Sequence, residues 1–203
     1  MIAPYLAFGE KLGRFLRQVA PNRCETLSIN YSGKVNDVET SPISRYVLKG
    51  FLEEAGGHEV NPVNVTSLAQ TLGLKIMETK DSATGEFTDL VELEAIGQGE
   101  TVSVAGTFIG SSQRIVRING RHVEARPIGV LLLLENNDVP GIVGQIGTVL
   151  GTHGVNIANM SLSRDHLGGE VITVLNLDSV PDESIISAIL TNPSIKTARV
   201  VRF

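Results

Sequence analysis

Cysteine is nearly absent from this sequence: Cys24 is the single example among 203 residues. A lone thiol excludes a disulfide framework, a cysteine-rich zinc site and an iron–sulfur cluster built within one chain, and it is typical of a reducing compartment. Tryptophan is missing, and three tyrosines and six phenylalanines leave few rings for stacking on bases. With a net charge of −5, the chain also lacks the basic field that attracts phosphate backbones. We therefore expect no nucleic-acid partner.

Long apolar runs are also missing. Residues 1–19 are interrupted by Glu10, Lys11, Arg14 and Arg17, which argues against a signal peptide or a membrane span. The longest purely apolar run, residues 130–134, has the length of a β-strand. We expect no membrane partner and a cytoplasmic location, with an organellar stroma as the alternative if a transit peptide has been removed.

Signatures of catalysis are lacking as well. No G-x-G-x-x-G follows a predicted strand, and there is no Walker loop, G-x-S-x-G elbow or H-E-x-x-H motif. The four histidines are scattered along the chain. We therefore predict no catalytic residues, no metal site and no cofactor within this chain.

What is present is ordinary globular composition, 42% hydrophobic and 19% charged, which is enough apolar material for two modest cores. Apolar residues at steps of three and four predict an amphipathic helix between Pro4 and Pro21. A second helix is predicted over residues 42–55, with Ser41 as its cap and Gly56-Gly57 as its stop. A third, short helix is expected from about Thr66 to Gly73.

Strands then dominate the first half of the chain. Alternating or β-rich segments predict strands at residues 27–31, 75–79, 87–96, 101–109, 114–118 and 121–125. The last two flank Asn119-Gly120, a pair that tolerates positive φ and suits the type I′ turn of a two-residue hairpin. Helices followed by strands predict an α+β first domain, which we place at residues 1–126.

After Pro127 the order of elements changes. A strand over residues 129–135, a helix over 140–153, strands over 156–164 and 170–177, a helix over 182–190 and a strand over 195–203 form a ferredoxin-like βαββαβ domain, residues 127–203. Its strand at 130–134 has five apolar residues in succession, so both faces of the sheet should be covered. Because the domain has two helices for one face, the other face should meet the first domain or another subunit, which predicts self-association.

The first candidate site is the segment from Asn136 to Gly141, where a strand leads into a helix with Pro140 suited to its first turn. Unpaired backbone N–H groups there, including that of Gly141, suit a carboxylate, and Asp138 suits an ammonium group. Asn156, at the start of the next strand, adds a carbonyl or an amide. These groups together suit a free amino acid. The alternative is that Asp138 is a helix cap and nothing more.

The second candidate is the Asn-Gly hairpin. Pairing across an ideal turn places Arg117, His122 and Arg126 on one face, where they could hold a phosphorylated metabolite. The alternative is an ordinary solvated face.

The residues resemble a known family in several separate segments. These are residues 60–64 (VNPVN), 104–110 (VAGTFIG), 114–121 (RIVRINGR), 136–141 (NNDVPG), 146–148 (IGT) and 155–160 (VNIANM). In this order they resemble the C-terminal half of the long form of D-3-phosphoglycerate dehydrogenase, and the resemblance extends to the opening helix. It implies an intervening, or allosteric substrate-binding, domain followed by an ACT domain, a βαββαβ module that senses amino acids.

The resemblance also implies a role for particular residues. Serine contacts between the ACT domains of two subunits match Asn136, Asp138 and Asn156, although some members have His or Tyr where this chain has Asn136. Anion-binding positions of the intervening domain match Arg114 and Arg126. An ideal hairpin puts these two arginines on opposite faces, so a shared site would need a bulge or a second subunit.

The parent enzyme that the resemblance implies oxidises 3-phosphoglycerate with NAD and opens serine biosynthesis. Its catalytic parts have no counterpart in these residues, so the leading hypothesis is a regulatory and oligomerisation portion that acts on catalytic domains of the same polypeptide. A second hypothesis is a purely structural oligomerisation module with vestigial ligand sites. A third, a serine dehydratase, is disfavoured because its cluster chemistry needs several cysteines.

Overall fold

The computed structural model describes residues 2–53, 59–82 and 85–203. The chain separates into two compact units, Met1–Gly120 and Arg121–Phe203. Each unit combines helices with a mostly antiparallel sheet, which confirms the α+β class. The expected domain limits, 1–126 and 127–203, remain a prediction. Within the described ranges no helix is long and apolar enough to cross a membrane.

The first unit is a sheet covered on one side by helices. In chain order it contains α1 (Ala3–Val19), β1 (Thr26–Gly33), a 3-10 turn (Lys34–Asp37), α2 (Ser41–Leu52), α3 (Val65–Thr71), β2 (Lys75–Asp81), β3 (Asp89–Gly97), β4 (Glu100–Ile109) and β5 (Ser112–Ile118). These strands lie in the order β2-β1-β3-β4-β5. Strand β2 pairs in parallel with β1, and the other pairs are antiparallel.

Helices α1 and α2 approach each other at the backbone through glycine. A Cβ added at Gly13 would overlap the carbonyl oxygen of Val47, and one added at Gly50 would overlap that of Glu10. Around this crossing α1 buries Phe8, Leu12, Phe15 and Leu16. The absence of a side chain at the two glycines is therefore what allows α1 and α2 to pack so closely.

The start of α2 differs from the sequence expectation. Ser41 lies inside the helix and Thr40 is its N-cap, without a side-chain capping bond among the described residues. Thr40 Oγ1 and Ser44 Oγ instead both donate to the Glu78 carboxylate, each at 2.6 Å. Glu78 lies on β2, so these bonds tie the edge strand of the sheet to α2. The expected stop at Gly56-Gly57 lies outside the described residues.

The predicted turn at Asn119-Gly120 is present, and a second turn at positive φ lies between β3 and β4. Asn119 and Gly120 have φ of 50° and 73°, as a type I′ turn requires. Gln98 and Gly99, between β3 and β4, have φ of 54° and 78°. Gln98-Gly99 is therefore a two-residue hairpin turn between β3 and β4.

The second unit has the expected βαββαβ order after an opening strand. Its elements are β6 (Arg121–Ala125), β7 (Val130–Asn137), α4 (Ile142–Thr152), β8 (Ile157–Arg164), β9 (Glu170–Leu177), α5 (Glu183–Leu190) and β10 (Ile195–Arg202). The four-stranded sheet has the order β10-β7-β9-β8. Its helix-side core includes Leu132, Leu134, Ile146, Leu175 and Ile189.

The other face of this sheet is covered too, as the apolar run of β7 predicts. Leu131 and Val174 on that face are fully buried. Part of the cover is β6. The backbone N–H of Glu124 donates to Ser161 Oγ at 2.9 Å. The side-chain amide of Asn176 accepts from the N–H of Arg126 at 3.1 Å and donates to the carbonyl of Arg126 at 2.9 Å.

Candidate effector and anion sites

The turn between β7 and α4 is built around Gly141. This residue is the N-cap of α4 at a φ of 95°, in the left-handed region that favours glycine. The helix begins at Ile142, so the expectation that Pro140 occupies its first turn is wrong: the chain reverses at Gly141 before helical geometry starts. In the part of the chain that the structure describes, no side chain caps this end, which leaves its first N–H groups open to an anion.

Asp138 is tied to the turn between β8 and β9. Its Oδ2 accepts from Arg164 Nη1 and from the backbone N–H of Gly168, both at 3.1 Å. Its own N–H donates to the carbonyl of Gly169 at 2.9 Å. The bond from the Gly168 N–H, followed by that from Arg164, holds the pKa of this carboxyl below its usual value. Asp138 is therefore a charged anchor of the β8–β9 turn and does not cap α4.

Asn136, near the end of β7 and two residues before Asp138, is buried. Its side chain is 2% exposed, its Oδ1 accepts from the hydroxyl of Thr173 at 3.2 Å, and its Nδ2 donates to the carbonyl of Asn137 at 2.9 Å. Thr173 is itself fully buried. Asn136 thus supports the turn from beneath, with both ends of its amide already bonded.

Asn156 lies at the opposite end of the sheet from Asp138. Leu177 pairs with Val130 on one side and with Ile157 on the other, so Asn156 lies at the end of the sheet where β7 starts, whereas Asp138 follows the end of β7. Eight residues of β7 separate the two ends, which is roughly 23 Å at about 3.3 Å per residue. The Asn156 amide donates to Asp178 Oδ2 at 2.7 Å. A single copy of the second unit therefore brings Asn136, Asp138 and Gly141 together but leaves Asn156 apart.

Sequence reasoning missed Arg164 and Gly168 as neighbours of Asp138. A signal was available, because antiparallel pairing of β7 with β9 places Asn137 opposite Glu170 and so brings the preceding turn beside Asp138. Strand β9 pairs with both β7 and β8, so Asp138, after the end of β7, and Arg164, at the end of β8, lie at the same end of the sheet, where opposite charges favour an ion pair.

The anion candidates of the first unit are rearranged by a β-bulge in β5. Arg117 pairs with Ala105 and Ile115 with Gly106, so Val116 is the extra residue. Arg114, which pairs with Thr107, therefore lies on the same face as Arg117. The ideal hairpin put Arg114 on the face opposite to that of Arg117, His122 and Arg126; this alternation is wrong for Arg114, because the bulge moves it to the face of Arg117.

Arg117 already has acidic and aromatic contacts. Its Nη2 donates to Glu86 Oε2 at 3.1 Å, and its guanidinium carbon lies 5.7 Å from the centre of the Phe87 ring. Arg114 Nη1 donates to the carbonyl of Gln113 at 2.9 Å. His122 and Arg126 belong to the second unit. Either unit alone thus holds two of the four predicted anion-binding residues.

No group of three His, Cys, Asp or Glu side chains that could hold a metal ion occurs in residues 2–53, 59–82 and 85–203.

Comparison with known proteins identifies both halves of the chain. The family model described as the D-3-phosphoglycerate dehydrogenase intervening domain matches residues 1–119, and the ACT domain model matches residues 130–193. A D-3-phosphoglycerate dehydrogenase of Bacillus subtilis is 29% identical over 201 residues, 98% of this chain and 38% of the relative. That of Methanocaldococcus jannaschii is 30% identical over 200 residues, with the same shares covered. That of Mycobacterium tuberculosis is 35% identical over 186 residues, 90% of this chain and 35% of the relative. The chain thus spans little more than a third of these relatives.

Proposed function

Because this chain belongs to the family of the D-3-phosphoglycerate dehydrogenase intervening domain and continues into an ACT domain, we propose that it binds a free amino acid, serine first, between two copies of its second unit. It is the regulatory part of such an enzyme. The catalytic domains of the same polypeptide would oxidise 3-phosphoglycerate with NAD. Occupancy of the ACT site would bias those domains, for which typical coupling of about 1 to 3 kcal/mol is sufficient.

The separation of Asp138 from Asn156 is the observation that carries this proposal. The two polar side chains lie at opposite ends of one sheet, so a ligand that needs both requires a second copy. A two-fold axis that brings the end of β7 in one copy to the start of β8 in another creates two equivalent sites at once. Ligand binding and the association of the two copies are then thermodynamically coupled.

The groups at such a site match the charges of a zwitterion. The Asp138 carboxylate, kept charged by its lowered pKa, attracts the ammonium group. The open N–H groups at the start of α4, next to Gly141, attract the carboxylate, because the N-terminus of a helix carries partial positive charge. Asn156 of the second copy supplies an amide for a side-chain hydroxyl.

Sedimentation equilibrium of the purified chain, with and without millimolar serine, tests the proposal together with isothermal titration. We expect an oligomer at micromolar concentration that serine strengthens, and measurable heat with serine. D-serine, which carries the same groups in the opposite hand, is the control and should bind more weakly. A monomer that ignores serine would contradict the proposal, whereas a stable oligomer without heat would favour the purely structural role.

Arg164 forms an ion pair with the Asp138 carboxylate, which is the group that the ammonium of serine would contact. In the ion pair between Arg164 and Asp138 the two side chains are 52% and 25% exposed, so solvent screens the pair and its own strength is modest. Arg164→Gln removes the competing charge and should tighten serine binding about threefold in titration calorimetry, within the range of exposed ion pairs. Arg199→Gln, a charge change on β10, is the matched control and should leave the affinity unchanged. Weaker binding by Arg164→Gln would mean that Arg164 helps to hold the ligand.

We further propose an anionic metabolite, such as a phosphorylated one, as a second ligand. The bulge at Val116 supports this, because it sets Arg114 and Arg117 on one face of the first sheet. His122 and Arg126 remain candidates for the same ligand. Guanidinium pairs of this kind suit phosphate oxygens.

A further inference from the structure

A pocket of about 240 Å³ lies in the first unit, away from the residues of both proposed sites. It is formed by the C-terminal ends of α1 and α2, the segment between α1 and β1, and the residues that precede β2. The lining residues are Arg17, Asn22, Arg23, Cys24, Phe51, Leu52, Leu72 and Leu74. At about 30 Å³ per water, this volume corresponds to roughly eight water molecules, the size of a small organic molecule.

One wall of the pocket is cationic. The Arg17 guanidinium is held in place by bonds to the carbonyls of Pro21 and Asn22, at 3.2 and 3.4 Å, and lies 5.9 Å from the centre of the Phe51 ring. Arg23 is exposed beside it. Among the described lining residues there is no Asp or Glu. In a chain of net charge −5, two arginines on a wall whose described lining holds no carboxylate favour an anion.

The floor of the same pocket is apolar. Phe51, Leu52 and Leu74 are buried beneath it, while Leu72 is 50% exposed at its edge. An apolar group that covers Leu72 would remove hydrocarbon surface from water. A ligand with only an anionic group would leave the apolar floor exposed to water. The cationic wall and the apolar floor together therefore select an amphipathic molecule.

We propose that this pocket binds a small organic anion that carries a carboxylate and a short apolar chain. The carboxylate contacts Arg23 and the fixed guanidinium of Arg17, and the chain lies over Leu72 and Leu74. Arg17 needs little reordering to bind, because its guanidinium is already held in place by the protein.

Cys24 provides a reporter inside the pocket, because it lines the wall and is the single cysteine of the sequence. Burial raises the pKa of its thiol, so the rate of alkylation by iodoacetamide is followed by mass spectrometry at alkaline pH. Acetate, butyrate and hexanoate serve as probes, with inorganic phosphate as the purely polar anion. We expect hexanoate to protect Cys24. Each methylene on the floor should lower the half-protecting concentration about fourfold.

Two variants test the cationic wall and the apolar floor separately. The alkylation rate of each variant with a probe is normalised to its rate without one. Arg23→Gln should weaken hexanoate protection about tenfold, and Leu72→Ser should remove most of the dependence on chain length. Arg45→Gln, an exposed arginine on α2 outside the pocket, is the matched control and should protect like the parent chain. Absence of protection by hexanoate, equal protection by phosphate, or an equal effect of Arg45→Gln would each overturn the proposal.

Discussion

Replacing Gly13 by alanine should destabilise the first unit by about 3 kcal/mol, and Gly50→Ala should do the same. At both positions the added Cβ meets a backbone carbonyl oxygen of the opposing helix, Val47 or Glu10. A backbone cannot rotate away as a flexible side chain can, so the helices must separate and lose part of their buried contact. Urea unfolding is the measurement. All three tyrosines, Tyr5, Tyr31 and Tyr46, lie in the first unit, so their fluorescence reports on that unit.

Gly144→Ala is the matched control for these two changes. Gly144 lies in α4, is exposed, and a Cβ there meets nothing within 4 Å among the described residues. Alanine is the better helix former, so this variant should gain about 0.5 to 1 kcal/mol of stability, read from circular dichroism. If Gly13→Ala were as harmless as Gly144→Ala, the close approach of α1 and α2 would be wrong.

Mixing two variants that each bind serine weakly should restore parental affinity at part of the sites. Asp138→Asn and Asn156→Ala should each weaken serine binding roughly tenfold or more, because each removes a polar contact from every site. In a two-fold assembly, one site of the mixed dimer draws Asp138 from one chain and Asn156 from the other, and both are intact there. After subunit exchange in an equal mixture, about a quarter of the sites should regain parental affinity. Titration calorimetry of each variant and of the mixture gives this fraction.

The double variant Asp138→Asn/Asn156→Ala is the control for this mixing experiment. Mixed with the parent chain, it should inactivate both sites of the mixed dimer, because each site then contains one altered residue. Restoration by the single variants, together with this loss for the double variant, would support shared sites in two ways. A mixture of single variants that stays inactive despite exchange would place both residues in one chain and contradict the proposed geometry.

Much of the fold could be predicted from the sequence because local signals agreed with one another. The βαββαβ order followed from alternating periodicities, and the turn at Asn119-Gly120 followed from a residue pair that tolerates positive φ. The start of α2 could not be predicted in the same way. Ser41 has the chemistry of a cap, but Glu78 on a distant part of the chain binds Thr40 and Ser44, and no local pattern records that carboxylate.

The candidate residues of each site could be named from the sequence, but their spatial arrangement could be predicted only in part. Asn136, Asp138 and Gly141 are neighbours in sequence and stay close in the fold. Asn156 was assigned to the same site, and only the strand register shows that one copy holds it far from Asp138. The bulge at Val116 changes the side on which Arg114 lies, and a one-residue shift of this kind has no clear signature in a run such as Arg114–Ile118.

The pairing of Asn176 with Arg126 bears on how this chain can be divided. A fragment cut at Pro127, where the elements change character, would lose β6 and uncover the face that holds Leu131 and Val174. A fragment that begins at Arg121 keeps that strand and its bonds to Asn176. A piece meant to fold by itself after transplantation into another protein therefore begins at Arg121, one strand ahead of the first strand of the four-stranded sheet.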